Sequence, residues 1–448
     1  MSKLIVREIA GKDGQPVAFP NGIKIGSAQA GTVNNIGLAG QQGFGVGICP
    51  GPLPAGFGGL FGYQDPASDN YGNYQYSDGS VMVWIPAFYY KYGTGANGNA
   101  INIVTIKAFS EYADVATANA AGYALHRAFY DGGAVQPGFF RDKYAASNNG
   151  GIASSLRNGI PLSSAIRGGI ANTAFASLAG APSNTHGGAI AVCKTRGANF
   201  FVTPRFMSAA IALLALAHAQ ASSNTTYCAW YHATNNFPKG CNNNALGDAQ
   251  DAAILYVADG SATGCAKTGS ANLFARTTHN GQNSGICDDN GNIYGVTPGI
   301  TSDATSYYLL KTSVAMKNVT GGNTLATDLW GATGLAAQYD NIGATYGALW
   351  ATGANRLTTF GSATQVLSES VSGTPWNAAG MGIPLVGGVG GSNAFGNDQL
   401  YDYNPNEMFP LSGGNWGDAS AAGLWMLHLY HVRGNAHSSV GCRAACYL

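Results

Sequence analysis

The stretch "GGNWGDASAAGLWMLHLYHVRGNAHSSVGCRAA", Gly413–Ala445, decides how the chain is read. Within it, "LWMLHLYH" repeats with period two: Leu427 and Leu429 alternate with Met426, His428 and Tyr430. That is the side-chain alternation of a strand. The two leucines are expected to face the core, with Met426, His428 and Tyr430 facing outward together. His431 stands at odd spacing from His428, so a regular strand sends the two imidazoles to opposite faces. This spacing argues against a metal site. An outward row of Met, His and Tyr resembles a recognition surface, because such side chains offer contact area at low entropic cost.

The rest of the composition agrees. Only 10% of the 448 residues are charged, against roughly 25% in typical soluble domains. The formal net charge is zero, which argues against a nucleic-acid partner or an anionic membrane surface. Asn, Ser, Thr, Tyr and Gly must cover the surface instead. Such a surface suits dense assembly or sugar contact, and equally a chain rich in turns and loops. Hydrophobic residues make up 46% of the chain, enough for a sizeable core. The longest apolar run, Ala209–Ala217, is too short to span a bilayer, so no membrane insertion is expected. "MSKLIVREIAGKDG" has no apolar core of secretory length, so synthesis in the cytosol without a signal peptide is expected. The eight cysteines form no C-x-x-C and no zinc-finger spacing, and are expected to be mostly buried free thiols.

Working back along the chain, residues 1–45 read as a short β-rich N-terminal segment, with "KLIVREI" and "GIKIG" as strand candidates. The Gly/Pro-rich stretch after it is expected to be an ordered loop region. "GSVMVWIPAFYYKY" is the clearest strand signal, with Pro86 marking an edge or a bend. "AINIVTI" and "GFFRDKYAAS" supply further strands. "TPRFMSAAIALLALAHAQ" predicts a buried helix, with Thr203 as its cap and Pro204 at its first position. His218 near its end reads as a partly buried or dipole-favoured histidine. A weaker helix is expected around Ala189–Cys193 or near Ser222–His232. "SYYLLKTSVAM" reads as strand, and "LATDLWGATGLAAQYDNI" as partly helical. The class is α+β with long ordered loops.

Catalytic motifs are missing: there is no Walker loop, no G-x-S-x-G elbow and no H-E-x-x-H. The clustered glycines of "GGVGGSNAFG" do not follow the dinucleotide fingerprint. Asp288 and Asp289 in "CDDNGNIYG" read as a turn with Asx-type hydrogen bonds. No enzyme activity, cofactor or metal is expected.

The C-terminal stretch resembles the variable region of proteins diversified by retroelements, the family that includes phage tropism determinants. The family frame is Gly-Gly-x-Trp, Ala-Gly, Leu-x-Leu and Gly-x-Arg. It is met here by Gly413, Gly414 and Trp416, by Ala422 and Gly423, by Leu427 and Leu429, and by Gly441 and Arg443. "VWIPAFYYKY", "FFRDKYAAS", "FPKGCNNNALGD" and "SGICDDNGNIYGV" resemble further family segments. The resemblance implies a C-type-lectin-like (formylglycine-generating-enzyme-like) domain over residues 46–448, with its variable ligand-binding region at 413–445. In this family, adenine-directed mutagenesis alters template Asn codons between the frame residues. By register those positions are Gly417, Asp418, Ala421, His428, Tyr430, His431, Asn435, His437 and Ser439. All nine residues are of types reachable from AAC or AAT by changing adenines, whereas Lys, Glu, Gln, Met and Trp are not. The related oxidases would carry copper-binding cysteines where this chain has Asp418 and Gly423, so the resemblance implies no such activity.

The function implied is that of a phage tail-fibre or tail-tip receptor-binding protein in the virion. Its partners would be a host cell-surface receptor, protein or glycan, and other phage tail proteins. A homotrimer is the family default. The alternative is a structural virion component, a capsid decoration or baseplate protein, of the same fold.

Overall fold

The computed structural model describes residues 24–25, 28–29, 31–92, 104–231, 254–259, 264–271, 274–319, 335–343, 354–357, 367–384, 395 and 398–448. "KLIVREI", "FPKGCNNNALGD" and nearly all of "GGVGGSNAFG" lie outside these residues, as does Cys241. The described part is strand-rich with a few helices, an α+β arrangement.

Two six-stranded sheets carry the architecture. In chain order the elements that build them, and those packed on them, begin with β1 (Phe57–Gly59), β2 (Asn73–Tyr76), β3 (Val81–Pro86), β4 (Phe88–Tyr92) and β5 (Val104–Ala108). Next come β6 (Gly138–Asp142), α1 (His186–Lys194), β7 (Phe201–Val202), α2 (Arg205–Ala221) and β8 (Tyr294–Val296). The C-terminal part adds β9 (Ala354–Leu357), β10 (Gln399–Asp402), β11 (Met408–Ser412), β12 (Leu427–Val432), β13 (Val440–Gly441) and β14 (Ala444–Cys446). The first sheet has the order β7-β14-β6-β3-β2-β1, and the second β9-β10-β12-β11-β8-β13.

The "VMVWIPAFYY" stretch is a strand, as its β-branched and aromatic content predicts. Pro86 is the bend: it ends β3, and after Ala87 the chain continues as β4 in a separate three-stranded sheet with β5 and Ala124–Leu125. β3 itself is internal, paired with β6 on one side and β2 on the other. In β6 all five residues are buried, so both of its faces are covered. Phe140 packs against Phe57, Tyr74 and Trp84. The α2 helix is buried from Arg205 through His218, and α1 forms where the weaker helix was expected.

The cap of α2 differs from expectation. Pro204 occupies the N-cap, and no side chain caps the free amides. The Thr203 hydroxyl instead accepts from Arg141 Nε at 3.4 Å. Arg205 anchors the helix start: its guanidinium donates to Met381 O, Ser412 Oγ and Met426 O at 2.8, 2.9 and 3.3 Å. His218 is fully buried, accepting at Nδ1 from Gly40 N and bonding Tyr227 O through Nε2. Ile36 and Phe44 belong to the main core cluster, so residues 31–48 pack with the chain that follows them.

Residues 289–292 form a turn as expected, but the Asp288 and Asp289 carboxylates bond to remote groups rather than making Asx-type hydrogen bonds. Asp288 Oδ2 accepts from Gly269 N at 2.8 Å. Asp289 sits between two guanidiniums, Arg443 Nε at 2.9 Å from Oδ1 and Arg141 on Oδ2. Burial works against its charge, but Arg141 and Arg443 outweigh that and hold its pKa below the usual carboxylate range. A cavity of about 20 Å³ lies against this cluster, room for about one water. Seven cysteines are described, all buried and free. Among the described residues no helix is long and apolar enough to cross a membrane.

Neutralising Asp289 leaves two buried guanidiniums without their anion. Asp289→Asn is expected to lose roughly 3 kcal/mol in urea unfolding at neutral pH. A loss below about 0.5 kcal/mol, the size of a surface change, would mean that the bracket is not what joins these elements.

Candidate functional site

The C-terminal frame residues are held by specific contacts. Gly413 and Gly414 take φ of 89° and 83°, the left-handed region that favours glycine. A Cβ on Gly413 would lie 2.7 Å from Asp289 O, and one on Gly414 would lie 2.6 Å from Met426 Sδ. A Cβ on Gly423 would run into the Asp398 carboxylate, which accepts from Trp425 N at 2.9 Å. Trp416 is buried against Val257 and Cys265, with the Arg167 guanidinium 5.3 Å over its ring. Leu427 and Leu429 lie in the core, and Arg443 closes the Asp289 bracket.

Between these fixed points the candidate residues divide. Gly417, Tyr430, Asn435 and His437 are exposed, while Asp418, Ala421 and His431 are partly exposed. His428 and Ser439 are buried, at 6% and 2%. The expected outward row of Met426, His428 and Tyr430 is therefore corrected: only Tyr430 faces out, and Met426 is wholly buried. The reason is position in the sheet. β12 is an inner strand between β10 and β11, and its first half is covered on both faces.

The expectation for His431 is corrected as well. Leu411 pairs with His428 and Phe409 with His431, so two steps along β11 match three along β12. This is a β-bulge. Phe409 and Leu411 are two residues apart and share a face, so their partners His428 and His431 share it too. A chain of rings results. Tyr294 and Tyr401 pack on His428 at 5.2 and 5.6 Å, and Tyr401 meets Tyr430 at 4.8 Å. Tyr430 then lies 4.1 Å from His431, which lies 5.9 Å from Phe409.

Most polar groups here bond locally, whereas His428 Nδ1 is buried without a hydrogen-bond partner among the described residues. His428 Nε2 donates to Gln399 Oε1 at 3.1 Å. His431 Nδ1 accepts from Asn435 Nδ2 at 3.3 Å, and His437 Nδ1 accepts from the Ser439 hydroxyl at 2.7 Å. His437 N donates to Ser164 Oγ at 2.8 Å, which ties the outer loop to residues 160–174. Asp418 Oδ2 accepts from Asn415 N at 2.7 Å. Burial and then the Asp418 charge push the Tyr430 phenol up. Asp418, Tyr430, His431, Asn435 and His437 thus come together as one patch. Tyr401, Phe409 and Gln399 complete its floor. No sequence motif marks them, because cross-strand pairing with β12 is what brings them in.

Burial lowers the His428 pKa to about 3, helped by His431, and lowers that of His431 to about 4, helped by His437. Both imidazoles are neutral at pH 7. Among the described residues no group of three or more His, Cys, Asp or Glu is placed to hold a metal ion.

Comparison with known proteins found no matching family model and no matching curated protein. Among solved structures the chain is similar to the "Major Tropism Determinant U1 Variant". The TM-score is 0.28 and the identity 11%, over 83% of this chain. The chain spans 65% of that structure's length.

The buried histidines set an acid limit on stability. Their folded pKa lies below the unfolded value of about 6.5, so below that pH the unfolded chain binds more protons. The stability is complete above pH 6.5 and falls as the pH drops toward the folded values. For His428 the slope is about 1.4 kcal/mol per pH unit. His428→Phe keeps a ring between Tyr294 and Tyr401 and is expected to lower the slope of urea-unfolding stability between pH 6.5 and 4 by about that amount, the rest being carried by the other buried histidines. An unchanged slope would mean that His428 is charged in the native state.

Proposed function

We propose that this chain is a phage receptor-binding protein of the tail fibre or tail tip. The surface that contacts the host ligand is formed by Gly417, Asp418, Ala421, Tyr430, His431, Asn435 and His437, with His428 and Ser439 beneath it. The observation that carries the reading is the division of labour within Gly413–Ala445. Frame side chains are locked by core contacts or by glycine-only backbone, whereas most positions between them end at solvent. Residues at such positions can change without disturbing the fold.

Recognition here is by packing and neutral hydrogen bonding. Tyr430 is 37% exposed with its ring braced by Tyr401 and His431, a rigid aromatic anchor of the kind that dominates interfaces. Asn435 and His437 supply adaptable polar contacts around it. The chain acts in the virion without catalysis, as a homotrimer joined to other tail proteins. Several weak contacts per particle then add to stable adsorption.

Tyr430→Ala and Asn435→Ala virions are expected to adsorb at least about tenfold more slowly, with the melting temperature unchanged within a few degrees. Unchanged adsorption in both, with intact particles, would point instead to a structural virion component. The gene offers a second check. The nine codons are expected to end in C or T, with a near-copy carrying AAC or AAT beside a reverse-transcriptase gene. Codons ending in A or G with no such template would remove diversification from the reading.

A further inference from the structure

A second concave surface lies apart from Tyr430. It is a cleft of about 630 Å³ whose walls include Asn148, Leu156, Arg157, Asn158, Ile160 and Asn172. None of its lining residues is acidic, and Arg157 is the one charged group among them. The rest of the lining is carboxamide, hydroxyl, glycine and small apolar side chains.

Arg157 is held in place. Its guanidinium lies 4.9 Å over the Phe274 ring, and its Nε donates to Gly269 O at 2.8 Å. These two contacts fix the plane of the group. They leave both terminal nitrogens without a protein partner among the described residues. A planar fork braced in this way matches a carboxylate, which accepts two parallel N–H bonds. Because little rotamer freedom remains to be lost, binding costs less.

The two asparagines are equally specific. Asn158 and Asn172 have φ of 62° and 64°, a conformation in which glycine is the default and Asn is tolerated. Here each position carries a carboxamide that makes no side-chain hydrogen bond among the described residues. Each offers a donor and an acceptor to a ligand. The wall between them is built: Asn148 donates to Asn172 O at 3.2 Å and accepts from Gly151 N at 2.9 Å. Carboxamides that both donate and accept suit sugar hydroxyls, which do the same.

We infer that this cleft is a binding site for an acidic saccharide. The Arg157 fork takes the carboxylate of a uronic or nonulosonic acid, and Asn158 and Asn172 take ring or side-chain hydroxyls. The site goes beyond the recognition surface around Tyr430 and does not depend on it.

The test is titration of the full chain with glucuronic acid, N-acetylneuraminic acid, neutral glucose and a short glutamate peptide, followed by calorimetry or ligand-observed NMR. At least one of the acidic sugars is expected to bind, about tenfold or more tighter than glucose and the peptide. Arg157→Ala should abolish that binding, and Arg157→Lys should weaken it by losing the fork. Asn158→Gly and Asn172→Gly keep a residue suited to the backbone, so they should weaken binding without unfolding the chain. Tyr430→Ala should leave sugar binding unchanged, so that the cleft and the proposed receptor surface succeed or fail separately. The inference is overturned if neither acidic sugar binds, if glucose or the peptide binds equally well, or if Arg157→Ala binds like the parent.

Discussion

The Asp289 carboxylate, gripped by Arg141 and Arg443, is the interaction on which the remaining structure depends. Arg141 belongs to β6, Asp289 to the loop before β8, and Arg443 to the link between β13 and β14. Arg443 also donates to Lys143 O at 3.0 Å and Cys287 O at 2.5 Å, and its own carbonyl accepts from Thr203 N at 2.8 Å. Four remote segments therefore meet at one charge. A second pair repeats the device: Arg196 grips Asp142, whose Oδ2 also accepts from Ala444 N at 2.7 Å. Such pairs add little net stability compared with apolar packing, but a wrong arrangement would strand a buried charge. They make the insertion of β14 between β7 and β6 specific.

That fixed end also holds the chain that leads into the patch around Tyr430. Gly413, Gly414 and Gly423 let the Asp289 backbone, the Met426 side chain and the Asp398 carboxylate approach within contact distance, and Arg205 ties the same region to the start of α2. The chain between these points is then short and well determined. The β-bulge in β12 adds a local consequence: it turns His431 onto the face of His428, which builds the ring chain that braces Tyr430.

Much of the fold was legible. The strand over Val81–Tyr92, the bend at Pro86 and the buried helix over Arg205–Ala221 follow from local pattern, because β-branched runs, proline and continuous apolar stretches act on their own neighbourhood. The core positions of Leu427 and Leu429 follow from period two. The errors share a cause, which is competition from residues distant in the chain. Thr203 does not cap α2, because its hydroxyl is engaged by Arg141, 62 residues away. His428 is not outward, because β10 and β11 flank its strand and the sheet is covered on both sides there. Asp289 lies in the expected turn, but its carboxylate makes no Asx-type bond there, because two arginines from other elements claim it.

The amino-acid sequence by itself thus determined which segments extend or coil and that Leu427 and Leu429 lie in the core. Those properties are set by backbone preference and side-chain period, both local. The tertiary structure alone decided which candidate side chains reach solvent, how the histidines face one another, and where Arg157, Asn158 and Asn172 converge. Exposure, register and convergence depend on strands and loops far apart in the chain, and no local pattern encodes the partner that a residue will meet.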